Sequence, residues 1–108
     1  MAQAFEPFVS QLSWQQVSLL LDTVQYFEEA PKWLSIPSEQ GASVPVPLTA
    51  DTLRAMLSRL QEDDAHARVP FSLMWEDGAE EGIGVLVVHL PDGDTVRQET
   101  ILSQFSPV

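Results

Sequence analysis

The chain contains no cysteine, which excludes a disulfide scaffold, a thiolate metal site and a cysteine nucleophile. It also lacks any apolar stretch near the roughly 18–20 residues that cross a bilayer. The longest apolar run, residues 83–90, has the length of a strand. The first residues lack the basic segment and apolar run of a signal peptide. We therefore expect a soluble, cytoplasmic protein without membrane contact.

Positive charge is scarce. Five Lys and Arg residues oppose sixteen Asp and Glu residues, which gives a net charge of −11. Such a surface repels nucleic-acid phosphates, so the composition argues against direct DNA or RNA binding. It suits a basic partner protein, but it also suits a protein that is acidic only to stay dispersed. Both interpretations remain open at this point.

The length of 108 residues and the apolar content of 44% predict a single domain, residues 1–108. An irregular arm is expected over residues 1–12. Ser13 and Gln16 have the spacing of a capping box, and the apolar residues that follow recur with helical periodicity. A first helix is predicted over residues 13–30, because Pro31 disfavours a helical residue before it.

A proline-rich connector is predicted over residues 31–48, since four prolines and a glycine oppose long regular structure there. Thr49 is the expected N-cap of a second helix over residues 49–62. The apolar face of this helix is formed by Leu53, Met56, Leu57 and Leu60.

From Val69 onward the apolar period changes from helical to two, which is typical of strands. Strands are predicted over residues 69–76, 82–90 and 95–102, with the middle one in the centre of the sheet. The predicted fold class is α+β, with two N-terminal helices packed on one face of a three-stranded antiparallel β-meander.

Two features suggest a binding surface for a partner protein. Four carboxylates, Glu76, Asp77, Glu80 and Glu81, fill the expected first hairpin loop and could steer a basic partner. Their spacing is not that of a calcium loop, so no metal site is predicted. Trp33 is an apolar island in the polar connector and could anchor an interface or fold back onto the core.

Catalytic motifs are weak. The histidines, His66 and His89, have no zinc-ligand spacing, and no serine lies in a nucleophile motif. The sequence therefore predicts a non-enzymatic interaction module without a cofactor, acting as an adaptor, inhibitor or chaperone-like protein. A small enzyme that uses surface carboxylates with His66 or His89 is the first alternative. A structural subunit, or a homodimer formed through a sheet edge, is the second.

Overall fold

The computed structural model describes residues 5–26 and 33–104. Its α+β architecture has two α-helices, a four-stranded antiparallel sheet and a separate two-stranded antiparallel sheet. The helices are α1 (Trp14–Tyr26) and α2 (Ala50–Leu57). The strands are β1 (Phe8–Leu12), β2 (Leu34–Pro37), β3 (Ser43–Val46), β4 (Val69–Asp77), β5 (Ile83–His89) and β6 (Thr95–Ile101).

Helix α1 begins at the predicted capping box. The Ser13 amide donates to Gln16 Oε1 at 2.8 Å, and the Gln16 amide donates to Ser13 Oγ at 3.2 Å. These two bonds satisfy amides that the first helical turn leaves without an intrahelical partner. Val17 is fully buried one position later, so the cap fixes which face of the helix meets the core. The predicted last turn, residues 27–30, lies outside the described residues.

Helix α2 is shorter than the predicted 49–62. Thr49 is the N-cap, as predicted, and its side chain accepts from the Thr52 amide. The helix ends at Leu57, and a separate 3₁₀ turn follows over Glu62–Asp64. After Leu57 the amides of Arg59 and Leu60 donate to the carbonyls three residues back, those of Met56 and Leu57, so the chain leaves the α-helix through tighter turns.

The prediction of a three-stranded sheet is wrong by one strand. Strands β4, β5 and β6 form the predicted meander, with β5 between its neighbours. Residues 8–12 of the predicted arm form β1, which pairs antiparallel with β4 and gives the order β1-β4-β5-β6. Burial of Leu12 on the core face stabilises this short strand against a segment about 60 residues away. The Ser10 hydroxyl, which is buried on the same face, donates to the Pro37 carbonyl.

The predicted connector also contains regular structure. Strands β2 and β3 pair as a hairpin whose turn is closed by the Ser38 amide, which donates to the Ala42 carbonyl at 2.8 Å. Gly41 lies in this turn with φ of 92°, a conformation that glycine adopts without strain. Ile36 and Val46 are fully buried, so the hairpin folds back as part of the core. Two-stranded ribbons tolerate the missing proline amides because each strand has a free edge.

The core lies between one face of the four-stranded sheet and the layer made by the helices and the small hairpin. Core-facing side chains of the sheet include Leu12, Phe71, Leu73, Trp75, Leu86 and Val88, and the opposing layer supplies Val17, Ile36, Val46, Leu53 and Met56. The opposite face of the sheet, here called the outer face, carries the alternate residues of each strand.

One buried polar network joins α2 to β6. The Gln98 side chain is almost fully buried, and its Oε1 accepts from Thr52 Oγ1 at 2.7 Å and from the Thr49 amide at 3.1 Å. Its Nε2 donates to the Pro47 carbonyl. Every polar atom of this amide therefore has a partner, as burial requires.

Candidate interaction surface

The loop between β4 and β5 is built by two backbone hydrogen bonds. The Gly78 amide donates to the Ile83 carbonyl at 2.9 Å, and the Ile83 amide donates to the Glu80 carbonyl at 3.2 Å. This arrangement turns the carboxylates of Asp77, Glu80 and Glu81 into solvent. Residues 77–82, which carry these three side chains, are here called the acidic loop.

The acidic loop borders a shallow depression of about 520 Å³. The loop residues form its rim, and Ile83 and Leu102 provide apolar lining. A smaller neighbouring depression of about 190 Å³ is lined by Glu80, Ile83 and Glu99, so β6 contributes a further carboxylate. Exposed Ile101, 47% accessible, lies opposite Ile83 in the sheet. The arrangement can receive a cationic head while apolar side chains contact the stem of a Lys or Arg residue.

The second hairpin turn of the meander is also acidic, but one arginine pairs with both of its carboxylates and offsets part of their charge. Arg59 Nε lies 2.6 Å from Asp92 Oδ2, and Arg59 Nη2 lies 3.1 Å from Asp94 Oδ2. The Asp94 amide, which donates to Asp92 Oδ1, is the largest cause that lowers the pKa of Asp92 below its ordinary value. Desolvation opposes it, and the hydrogen bond and charge of Arg59 lower the pKa further. The same two carboxylates raise the pKa of Arg59.

The acidic loop has no such pairing within the described residues. Three of the arginines there are ion-paired, Arg54 with Asp51, Arg59 as above and Arg97 with Glu76. None of the described basic side chains lies within ion-pair distance of Asp77, Glu80 or Glu81. The two turns at opposite ends of the meander are therefore electrostatically different, although both are rich in acids.

The five residues predicted to bind a partner fall into three environments. Asp77, Glu80 and Glu81 share the acidic loop. Glu76 lies at the end of β4 on the outer face, where its Oε2 pairs with Arg97 Nη2 at 2.5 Å across β5. Trp33 is half-buried and packs against the hydrophobic core, and it does not line the depression at the acidic loop.

The outer face has an apolar centre that the sequence pattern did not indicate as a surface. It includes Val9, Met74, Ile83, Val85, Val87 and Ile101. Val87 is only 3% exposed although it is not part of the main core cluster. It pairs with Met74 on one side and with Arg97 on the other, and the Arg97–Glu76 ion pair spans β5 beside it. The alternation of apolar residues along β4 was the sequence signal that the strand has a second face.

Both histidines are exposed. His66 follows the 3₁₀ turn, and His89 ends β5 with its Nε2 3.2 Å from Met74 Sδ. Neither residue lines the depressions described above. Over residues 5–26 and 33–104, no group of three or more His, Asp or Glu side chains is arranged to hold a metal ion.

Among the described residues, no helix has both the length and the apolarity that a membrane crossing requires. Comparison of the chain with models of protein families, with curated proteins and with solved structures returned no match in any of the three searches.

Proposed function

We propose that this chain is a non-enzymatic interaction module that binds a basic partner protein through the acidic loop. The observation that carries the proposal is the contrast between the two turns of the meander. Arg59 pairs with both acids of one turn, whereas the carboxylates of the acidic loop have no cationic partner among the described residues. Holding like charges together costs free energy unless a counter-charge is supplied, and a basic partner supplies it.

The shape of the loop supports the same partner chemistry. Ile83 and Leu102 line the depression with the carboxylates, and exposed Ile101 pairs with Ile83. An incoming Lys or Arg residue would meet apolar contacts for its stem and carboxylates for its charge. The carboxylates are solvent-exposed, so they act mainly on the association rate and on its salt dependence. We expect binding that weakens as the ionic strength rises.

The five predicted residues should contribute unequally to binding. Asp77, Glu80 and Glu81 are the contact residues, with Glu99 added from β6. Glu76 contributes less, because it already pairs with Arg97. Trp33 packs against the core, so we expect its substitution to lower stability more than partner affinity.

The test uses two triple variants that change the net charge equally. Asp77→Asn/Glu80→Gln/Glu81→Gln removes the carboxylates of the acidic loop. The matched control, Glu62→Gln/Asp63→Asn/Asp64→Asn, removes three exposed carboxylates from the 3₁₀ turn. Each immobilised protein is incubated with source lysate at low salt, and retained proteins are identified by mass spectrometry. The loop variant should lose basic proteins that the control keeps.

For a partner recovered in this way, titration calorimetry should show a loss of about tenfold in affinity for the loop variant. That estimate assigns roughly 0.5 kcal/mol to each of three exposed charge pairs. An equal loss in the control would show that net charge, and not the loop, governs binding. Recovery of no basic protein by the wild type would contradict the proposal directly.

A further inference from the structure

The two edges of the four-stranded sheet differ in whether another segment of the chain covers them. At the β1 edge, the turn of the small hairpin covers the strand: the Glu39 amide donates to the Val9 carbonyl at 2.9 Å, and Ser10 Oγ donates to the Pro37 carbonyl at 2.5 Å. At the other edge, β6 pairs with β5 alone among the described residues. An uncovered edge offers a row of backbone donors and acceptors to another strand.

The hydrogen bonds at the two ends of β6 show which residues face that edge. The Leu90 amide donates to the Asp94 carbonyl, and the Leu102 amide donates to the Gly82 carbonyl, both at 2.8 Å. In an antiparallel pair, hydrogen-bonded positions alternate with non-hydrogen-bonded ones. The even-numbered residues of β6 therefore bond to β5. The odd-numbered residues, Thr95, Arg97, Glu99 and Ile101, direct their backbone N–H and C=O groups outward.

The side chains along this edge have a symmetric charge pattern. Strand β6 has seven residues and Gln98 is its middle one, with Arg97 and Glu99 on either side. We propose that a second copy of the chain pairs antiparallel with β6 about a two-fold axis at Gln98. In that register Arg97 of each copy lies directly opposite Glu99 of the other, and Thr95 lies opposite Ile101.

The charges select this register over its neighbours. Residues whose backbone groups face outward must pair with each other. Symmetric registers centred on Arg97, Gln98 or Glu99 all place outward N–H and C=O groups of one copy opposite those of the other. A centre at Arg97 places two arginines opposite each other, and a centre at Glu99 places two glutamates opposite each other. Directly opposed like charges destabilise a strand pair, whereas opposite charges stabilise it. The register at Gln98 alone produces two Arg–Glu pairs, and it also uses the whole length of β6.

The resulting dimer is isologous, and its sheet continues through eight strands. The two-fold axis is perpendicular to the sheet, so the outer faces of both copies lie on the same side. The Gln98 side chain stays on the core face, where Thr52 and Pro47 already bind it, and the seam is formed by backbone groups and odd-numbered side chains. This inference does not rest on the proposed function, because residues 77–82 of the acidic loop lie outside the seam; Glu99 alone belongs to both surfaces.

Charge reversal tests the dimer without knowledge of any other ligand. Wild-type protein should show a concentration-dependent monomer–dimer equilibrium in sedimentation velocity. Arg97→Glu places glutamates opposite each other, and Glu99→Arg places arginines opposite each other, so each variant alone should dimerise about 30-fold more weakly. An equimolar mixture of the two variants restores both opposite-charge pairs and should form a heterodimer. The double variant R97E/E99R should recover the homodimer.

Glu76→Gln provides the matched control. It breaks the ion pair with Arg97 inside one copy but leaves the charge row of the edge unchanged, so it should dimerise like the wild type. Circular dichroism checks that every variant is folded. In hydrogen exchange, raising the protein concentration should protect the Arg97 and Glu99 amides. A wild type that stays monomeric, or variants that dimerise equally alone and mixed, would overturn the proposal.

Discussion

Replacing Gly84 with alanine should destabilise the fold because Trp75 already occupies the space of the new methyl group. A Cβ at Gly84 would lie 2.2 Å from Trp75 Cζ2 and 2.6 Å from Trp75 Cε2, well inside the roughly 3.5–4.0 Å of a favourable carbon contact. Trp75 is 7% exposed and packs edge-on against Phe5, with ring centroids 5.7 Å apart. The indole therefore has little room to move aside.

The expected magnitude combines two opposing effects. Alanine restricts the unfolded chain more than glycine and would by itself stabilise a strand by roughly 0.5–1 kcal/mol. Overpacking a well-filled core costs about 1–3 kcal/mol, and a contact as short as that at Gly84 belongs near the upper end. We expect the free energy of unfolding to fall by about 2 kcal/mol, measured by urea denaturation with far-ultraviolet circular dichroism.

A double-mutant cycle separates this steric clash from a general intolerance of alanine in β5. Trp75→Phe removes the indole atoms that the new Cβ would meet, so Gly84→Ala should cost less than about 1 kcal/mol in that background. The difference between the two backgrounds is the coupling free energy of the pair. An equal loss in both backgrounds, or no loss in the wild-type background, would refute the reasoning.

Two further substitutions test polar contacts. Gln98→Leu removes the buried side-chain amide that Thr52 and Pro47 bind, and it leaves their polar groups without a partner. The free energy of unfolding, measured in urea, should fall by about 2–4 kcal/mol, and a fall under about 1 kcal/mol would contradict the network. Arg59→Gln should raise the pKa of Asp92 only part of the way to 3.8, since the Asp94 amide is the larger cause of its lowering. The lowered pKa contributes stability above 3.8 that is lost as the pH falls through the folded-state value, and NMR titration of Asp92 in both proteins measures it. A full return to 3.8 in the variant would show that, without Arg59, the amide does no more than offset desolvation.

The helix starts and the meander were predictable because their signals are local. The capping box at Ser13 and the N-cap at Thr49 depend on residues within one turn, and the structure contains both. Strand alternation in residues 69–75 predicted the core face of β4, and Phe71 and Trp75 are buried there. In each case the same few residues carry both the sequence pattern and the physical interaction.

The errors concern segments whose structure depends on distant partners. Strand β1 has five residues, and its place is decided by pairing with β4, so no local pattern distinguished it from an arm. Pro37 and Pro45 favoured the prediction of an irregular connector in place of β2 and β3, because a proline argues against a strand unless the strand has a free edge. The end of α2 was predicted too late because the apolar periodicity continues to Leu60, whereas the helix ends at Leu57 and tighter turns follow it.

At the candidate surface, too, the local features were predictable and the contacts between distant segments were not. Sequence identified the carboxylates of the acidic loop because a polar loop between two strands is a local feature. It did not reveal that Arg97 reaches across β5 to Glu76, or that Glu99 joins Glu80, because strand register decides both. The Arg97–Glu76 ion pair has the largest consequence for the proposed function, because Glu76 is then less available to a partner than the other predicted carboxylates.

The positions of the arginines connect the proposed function to the proposed dimer. Arg59 holds the β5–β6 turn and Arg97 lies at the centre of the uncovered edge, while the acidic loop receives no cation from the described chain. A dimer seam at β6 would use Arg97 twice and would leave both acidic loops exposed on one continuous sheet. A basic partner with two matching segments would then bind more tightly than one segment alone, because the second contact forms at a high effective concentration. The edge variant Arg97→Glu should therefore weaken binding of such a partner even though it leaves every carboxylate of the loop in place.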